Sequence, residues 1–431
     1  MINYYTKFLQ ALAKRYMARH KPIVIWVTGS AGKSSAVAAI GAAFKQLLPD
    51  QQIYVPSRQL NGELGLPLTI FRIEYFWPTM RYVLTTTWQV LLQYWSQTKP
   101  YDIIVLEYGV DHVGEMDILL DIVVPDYAVI TNIDTVHFWD PVITWQEKSK
   151  LIKAAKYNYL WLAESERRKA KNEYKTFAIH NKQADIDLVS HEYLMDNPAQ
   201  TGMAGDVLIG DDIIEIITNS IENYYLIYSA IWYDIARQLW VAKLTQLPLY
   251  IDLPAWRATM LSWVHDSIII DSSYNSSPVG TMHLLDIVQE MRIQYPNYGV
   301  ICLMGEMREL YDLEESSHVQ LANRLVDMKI DYVWLVWEST QVYMLDTLVD
   351  VYWVSHVQYN VSSIKIGQRA AQTIASEDKK YIILIKWSQN TIFMEEAVKQ
   401  LLSHHDDISQ LCRQSQWWMI KKNNRFQSLN S

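Results

Sequence analysis

A chain of 431 residues, half of them hydrophobic, exceeds one ordinary core, so two or three domains are expected. Its 38 lysines and arginines against 47 aspartates and glutamates leave a net charge of −9, which argues against a general nucleic-acid surface. Two cysteines, Cys302 and Cys412, make neither a zinc site nor a disulfide framework and fit a reducing cytoplasm. No apolar run nears the ~20 residues of a spanning helix, and the N-terminus lacks a signal-peptide core.

The first twenty residues, MINYYTKFLQALAKRYMARH, are amphipathic and basic. They are expected to form a leader helix packed on the next domain, with weak contact to an anionic membrane surface as the alternative. The stretch Val24 to Ser35, VIWVTGSAGKSS, then reads as a buried strand, a glycine turn and the start of a helix. Gly29 and Gly32 let successive N–H groups of the loop Gly29, Ser30, Ala31, Gly32 converge on an anion, and the helix N-terminus at Lys33, Ser34 and Ser35 adds its positive end. Lys33 can reach the outer phosphates and Ser34 can ligate Mg²⁺, so ATP or GTP binding is expected. Val27 stands where the longer GxxxxGK[ST] pattern has its first glycine.

Next come a strand, a polar loop and an apolar run in QQIYVPSRQLNGELGLPLTIF, where Asn61, Gly62 and Gly65 predict a loop flexible enough to lie over a ligand. The run YDIIVLEYGV is a buried strand ending on Glu107 and Gly109, and a carboxylate at that end is expected to serve a metal. A similar strand, YAVIT, ends at Asn132 with His137 just beyond. TWQEKSKLIKAAK is a helix whose Lys148, Lys150, Lys153 and Lys156 read as a solvated face. Residues 157–220 alternate short strands with charged turns and carry no chemical signature; the aromatics of IENYYLIYSAIWYDIARQLW read as core. A domain boundary is expected near the proline-bounded LTQLPLYIDLPAW, and beyond it buried strands alternate with helices as in a second parallel α/β domain.

Taken in order, VTGSAGKSS, LNGELGLPLTIF, VLEYGVDHVGEMDIL, PDYAVITNI with His137, EKSKLI, DSSYNSSPVGTM, MGEMREL with His318, and IKWS with Glu395 resemble the Mur ligases, ATP-dependent amide-bond ligases of peptidoglycan synthesis. The branch that adds D-alanyl-D-alanine to UDP-N-acetylmuramoyl-tripeptide is the most similar. The resemblance implies a two-step reaction in which ATP converts a peptide carboxylate to an acyl phosphate and an incoming amine displaces the phosphate. It also implies that Lys33 clamps phosphates, that Ser34, Glu107 and His137 serve Mg²⁺, and that Lys148 is carbamylated to a carboxylate-like metal ligand. Asn223 falls where the family contacts adenine, although the histidine usual before it is Glu222 here. Arg257 and Asp271 would reach the nucleotide from the C-terminal domain, with Tyr274 and Asn275 at the junction and Asn275 among the catalytic set.

Two departures stand out. Only 21 residues precede Pro22, where the peptidoglycan enzymes carry an N-terminal domain for the UDP end of their substrate; folylpolyglutamate synthase likewise starts near its phosphate loop. Secondly, Trp26, Trp240, Trp256, Trp263, Trp337 and Trp387 occupy positions where the family pattern has glycine, in a chain with only 14 glycines and 17 tryptophans. Some bacteria read the codon UGA as glycine, and translation in another code table would print tryptophan at these places; the alternative is a diverged ligase.

These readings together predict an α/β protein. Residues 1–21 form the leader helix, 22–250 a P-loop ATPase-type central domain with a parallel sheet, 251–410 a Rossmann-like C-terminal domain, and 411–431 a polar tail. A cytoplasmic, monomeric ligase using ATP and Mg²⁺ on a UDP-muramoyl peptide and D-alanyl-D-alanine is expected. Ligation on a folate or storage polypeptide, and a catalytically weak nucleotide-binding scaffold, are the competing functions.

Overall fold

The computed structural model describes residues 2–430 apart from 31, 57–59, 61, 75, 77–78, 97, 110–111, 134–140, 169–173, 198–199, 241–247, 254–257, 265–266, 274–275, 309, 353–354, 387–391, 403–407 and 410. Two compact units divide it: Met1–His191 with Gly205–Ile216 and Tyr224–Ile251, and Glu192–Ala204 with Ile217–Asn223 and Asp252–Ser431.

The chain opens with helix α1 (Ile2–His20), strand β1 (Ile23–Thr28), α2 (Lys33–Leu47), β2 (Ile53–Tyr54), α3 (Gly62–Ile70), α4 (Met80–Trp95) and β3 (Ile103–Tyr108). It continues through α5 (Glu115–Ile122), β4 (Tyr127–Ile130), α6 (Pro141–Ala154), β5 (Tyr157–Trp161), α7 (Leu162–Arg168), β6 (Lys175–Ile179) and β7 (Ile186–Leu194). Then follow β8 (Gly202–Ile209), β9 (Asp212–Thr218), α8 (Tyr224–Trp240) and β10 (Leu249–Ile251). These strands form one sheet in the order β10-β9-β8-β7-β6-β5-β4-β1-β3-β2, parallel from β2 to β7. The runs IVIWVT, IIVLEY and YAVI are apolar without alternation because helices cover both faces of a parallel sheet. One face buries Leu9, Ala13 and Tyr16 of α1 together with Leu66 and Phe71, Val90, and Met116 of α5. Near α2, Phe44 meets Trp232 edge-on at 6.3 Å, and the Trp232 indole donates to the Ala36 carbonyl at 3.1 Å.

The segment expected to be a flexible loop around Gly62 and Gly65 is instead α3; Asn61 lies outside the described residues. Its apolar content explains the difference: Leu66, Leu68 and Ile70 are buried, and the Leu60 carbonyl sits so close to Gly65 that a Cβ there would come within 2.0 Å. Gly65 is therefore a close-approach glycine rather than a hinge.

The second unit holds β11 (Thr259–Val264), β12 (Ser267–Ser272), α9 (Pro278–Gln294), β13 (Gly299–Gly305), α10 (Glu314–Asp327), β14 (Tyr332–Val336) and α11 (Glu338–Val349). After these come β15 (Val357–Asn360), α12 (Ser363–Ser376), β16 (Tyr381–Lys386), α13 (Glu395–Lys399) and α14 (Gln416–Asn430). The six-stranded sheet runs β11-β12-β16-β13-β14-β15, parallel except for the β11 edge. Helix α14 is tied down by buried Lys422, which reaches Glu395 at 2.9 Å and Glu396 at 2.7 Å.

Candidate active site

Strand β1 delivers the chain to a tight loop at the C-terminal edge of the sheet, where open α/β folds bind ligands. Gly29 lies at φ 154° and Gly32 at φ 81°. A Cβ on Gly29 would come within 2.0 Å of Thr131 Oγ1, and one on Gly32 within 2.5 Å of the Tyr228 hydroxyl, so both positions demand glycine. The Ser30 N–H donates to the Asn132 carbonyl at 2.7 Å, anchoring the loop to the end of β4. Helix α2 then begins at Lys33, whose ammonium donates to the Gly29 carbonyl at 3.0 Å within the loop. Glycine turn, helix N-terminus and lysine together make an anion cradle.

Glu107 comes from the neighbouring strand, because β1 and β3 pair with Val27 opposite Glu107 and Thr28 opposite Tyr108. The Ser34 hydroxyl donates to Glu107 Oε1 at 3.1 Å. A hydroxyl and a carboxylate converging beside a phosphate cradle are oxygen donors of the kind Mg²⁺ takes. Lys148 on α6 is buried, whereas Lys153 and Lys156 are exposed, so the expectation of one solvated lysine face fails at Lys148. Its neighbours explain the burial, since Leu151 and Ile152 of the same helix enter the core. His137 and Ala31 lie outside the described residues, and among those described no group of three histidine, cysteine or acidic side chains could hold a metal.

In the second unit Asp271 is fully buried near the end of β12. Burial pushes its carboxyl up to about 7, opposed by hydrogen bonds from Ser273, whose N–H donates to Oδ1 at 2.9 Å. Oδ2 has no partner among the described residues. Beside it, Lys386 donates to the Ser272 hydroxyl at 2.9 Å, and burial pushes its amine down to about 8 against the opposing charges of Glu222 and Asp271. Asn223 keeps a buried side-chain oxygen without a partner among the described residues. Arg257, Tyr274 and Asn275 lie outside them. His318 is internal: Nε2 accepts from the Met307 N–H at 2.9 Å, and Nδ1 lies 2.7 Å from the Glu314 carbonyl.

Residues 27–193 match the family described as the Mur ligase middle domain. The matched segment holds the cradle, Glu107 and Lys148. The UDP-N-acetylmuramoyl-tripeptide--D-alanyl-D-alanine ligase of Bacillus subtilis (strain 168) is 23% identical over 410 residues, covering 91% of this chain and 79% of that protein. The Escherichia coli (strain K12) protein of the same name is 22% identical over 396 residues, covering 88% and 76%. Among solved structures, MurF from Acinetobacter baumannii superposes with TM-score 0.70 at 18% identity, over 93% of this chain and 81% of that one. MurF ligase from Thermotoga maritima in complex with ADP gives TM-score 0.63 at 18% identity, over 92% and 83%.

The far wall of the cradle comes from residues that carry no motif. Thr131 and the hydroxyls of Tyr225 and Tyr228 border the loop, Tyr225 Oη donating to Ser35 Oγ at 3.3 Å. Tyr225, Tyr228 and Trp232 are buried, as expected of core aromatics, but two of them also present polar tips to the loop. No local sequence signal marks that second role. Of the six tryptophans expected to stand at family glycine positions, Trp26 is fully buried against Tyr108 at 5.0 Å, with its indole N–H unpartnered among the described residues. Trp337 adopts φ 88° and ψ 163°, a backbone region that belongs almost wholly to glycine. Trp256 and Trp387, and the side chains of Trp240 and Trp263, lie outside the described residues.

Proposed function

We propose that this chain is an ATP-dependent amide-bond ligase that joins D-alanyl-D-alanine to a UDP-N-acetylmuramoyl-tripeptide through an acyl phosphate. The cradle carries this reading: loop, helix N-terminus and Lys33 converge beside a Ser34–Glu107 pair 3.1 Å apart. Two relatives that cover most of this chain bear the name of that ligase.

In the first step a peptide carboxylate oxygen bonds to the γ-phosphorus of ATP while the bond to the ADP oxygen breaks. The incoming amine then attacks the acyl carbon, phosphate leaves with the C–O bond, and the amine sheds a proton. Charge develops on phosphoryl oxygens throughout, so the chain's task is neutralisation and positioning. Lys33 and the N-terminal amides of α2 supply fixed positive charge where the phosphates lie. Bound Mg²⁺ would neutralise further phosphate charge, and Ser34 and Glu107 offer it oxygen donors. His137 and Lys148 join that set by family resemblance, Lys148 after its amine adds CO₂ and loses a proton to become a carbamate. Asn223, Arg257 and Asp271 are assigned to the nucleotide, and Tyr274 and Asn275 to the junction with the reacting groups. The unpartnered oxygens of Asn223 and Asp271 support those assignments, since each can accept from a ligand. A monomer in the cytoplasm, where ATP is available, fits this reading, and no helix among the described residues is long and apolar enough to cross a membrane.

ADP release from the purified chain, measured with UDP-muramoyl peptides in the presence and absence of D-alanyl-D-alanine, tests the assignment. Turnover should require both substrates and vanish in Lys33→Ala while the circular dichroism of the fold is retained. Turnover on a folate with glutamate instead, or undiminished turnover in Lys33→Ala, would overturn it.

A further inference from the structure

Helices α1 and α4 touch at two places: the Thr87 hydroxyl donates to the Tyr5 hydroxyl at 3.3 Å, and Arg19 donates to the Tyr94 carbonyl at 2.7 Å. Arg19 also stacks on the Tyr94 ring at 4.8 Å. On α4, residues Met80, Leu84, Trp88, Leu92 and Trp95 recur at a spacing of three and four and therefore share one side of the helix. All five are between 57% and 71% exposed, whereas Thr86, Val90 and Tyr94 form the buried side. On α1 the corresponding outward side carries Tyr4, 84% exposed, with Phe8 and Arg15. Arg19 on α1 and Thr87 on α4, each touching the other helix, stand between the buried side and the apolar stripe of their own helix, so the stripes flank these contacts.

Exposed apolar surface on this scale marks an interaction site. Its charge selects the occupant. None of the 47 acidic residues lies in either helix, while Lys7, Lys14, Arg15, Arg19 and Arg81 do, in a chain of net charge −9. Lys14 leans to the far flank, where it pairs with Asp121 of α5 at 2.5 Å. A second copy would bring like charges together, whereas an anionic lipid surface meets cations, aliphatic side chains and amphipathic tryptophan and tyrosine rings at once.

We propose that the paired α1–α4 face seats the chain on an anionic phospholipid surface, lying in the interface rather than crossing it. The full chain should float with vesicles containing phosphatidylglycerol and cardiolipin, not with phosphatidylcholine alone, and the binding should weaken as salt rises. Leu84→Glu with Leu92→Glu should lower the partition coefficient at least tenfold, and Arg15→Glu with Arg81→Glu should lower it too. Both pairs should keep wild-type melting temperature and vesicle-free ADP release, because these side chains are exposed. Failure to float, or flotation indifferent to both pairs, overturns the proposal. So does a dimer in sedimentation that the leucine pair abolishes, since the face would then serve a second copy.

Discussion

Replacing Gly29 by alanine tests the cradle where it is tightest. The new Cβ would stand 2.0 Å from Thr131 Oγ1 and 3.0 Å from the Asn132 carbonyl, at a backbone φ of 154°. Thr131 cannot simply swing away, because its N–H donates to the Thr28 carbonyl at 3.0 Å and its hydroxyl faces the same oxygen at 3.4 Å. Moving the loop instead breaks the 2.7 Å bond from the Ser30 N–H to Asn132. Overpacking costs about 1–3 kcal/mol, and a non-glycine residue in sparsely populated backbone space costs about 1–3 kcal/mol more. Gly114→Ala separates the two effects, since Gly114 sits at φ 88° with nothing within 4 Å of a Cβ. It should pay only the backbone cost of about 1–2 kcal/mol. Urea midpoints and calorimetric ADP titrations of both variants provide the assay. Gly29→Ala should be the less stable by about 1–3 kcal/mol and lose at least about tenfold in ADP affinity, equivalent to ~1.4 kcal/mol, while Gly114→Ala binds ADP like wild type. Equal stability of the two variants with unchanged ADP binding would refute the steric reasoning and the placement of the nucleotide.

Lys148→Ala should lose ligase activity and regain part of it with added short carboxylates, because the proposed working group is a carbamate; full activity in Lys148→Arg would exclude that. The Asp271 carboxyl is pushed from 3.8 up to about 7, so its folded form prefers the proton, and stability present below pH 3.8 is lost as pH rises through 7. Melting curves should show Asp271→Asn gaining on wild type over that window, by at most about 4 kcal/mol at ~1.4 kcal/mol per pH unit; a gap independent of pH would contradict the assignment. Mass spectrometry of the protein from its native host should find glycine at Trp26, Trp256, Trp337 and Trp387, each peptide lighter by one indolylmethyl group. The glycine-region backbone of Trp337 and the unpartnered indole of Trp26, worth about 1–3 kcal/mol when buried, motivate this; tryptophan at all four sites would end the recoding idea.

The cradle is legible in the chain because strand, glycine turn and helix start are local, and GSAGKSS specifies all three within a few residues. Glu107 is equally legible, since a carboxylate at the end of an apolar run needs only the β1–β3 pairing to reach Ser34. What the residues conceal is non-local. Tyr225 and Tyr228 lie nearly two hundred positions from the loop they border, and their spacing signals only a buried helix face. The helix at Gly62–Ile70 was hidden by Gly65 and Pro67, which local propensity counts against a helix and tertiary burial overrides. Lys148 shows the reverse: a run of lysines reads as solvated, yet the register of α6 turns one of them inward.

If the cradle serves acyl phosphate formation, an oxygen atom must pass from the peptide carboxylate to phosphate. A UDP-muramoyl tripeptide labelled with ¹⁸O in its terminal carboxylate is turned over with ATP and D-alanyl-D-alanine, and the released phosphate is weighed by mass spectrometry. One ¹⁸O atom should appear in each phosphate, because the oxygen that attacks phosphorus departs with it. Unlabelled phosphate accompanying amide formation would contradict an acyl phosphate.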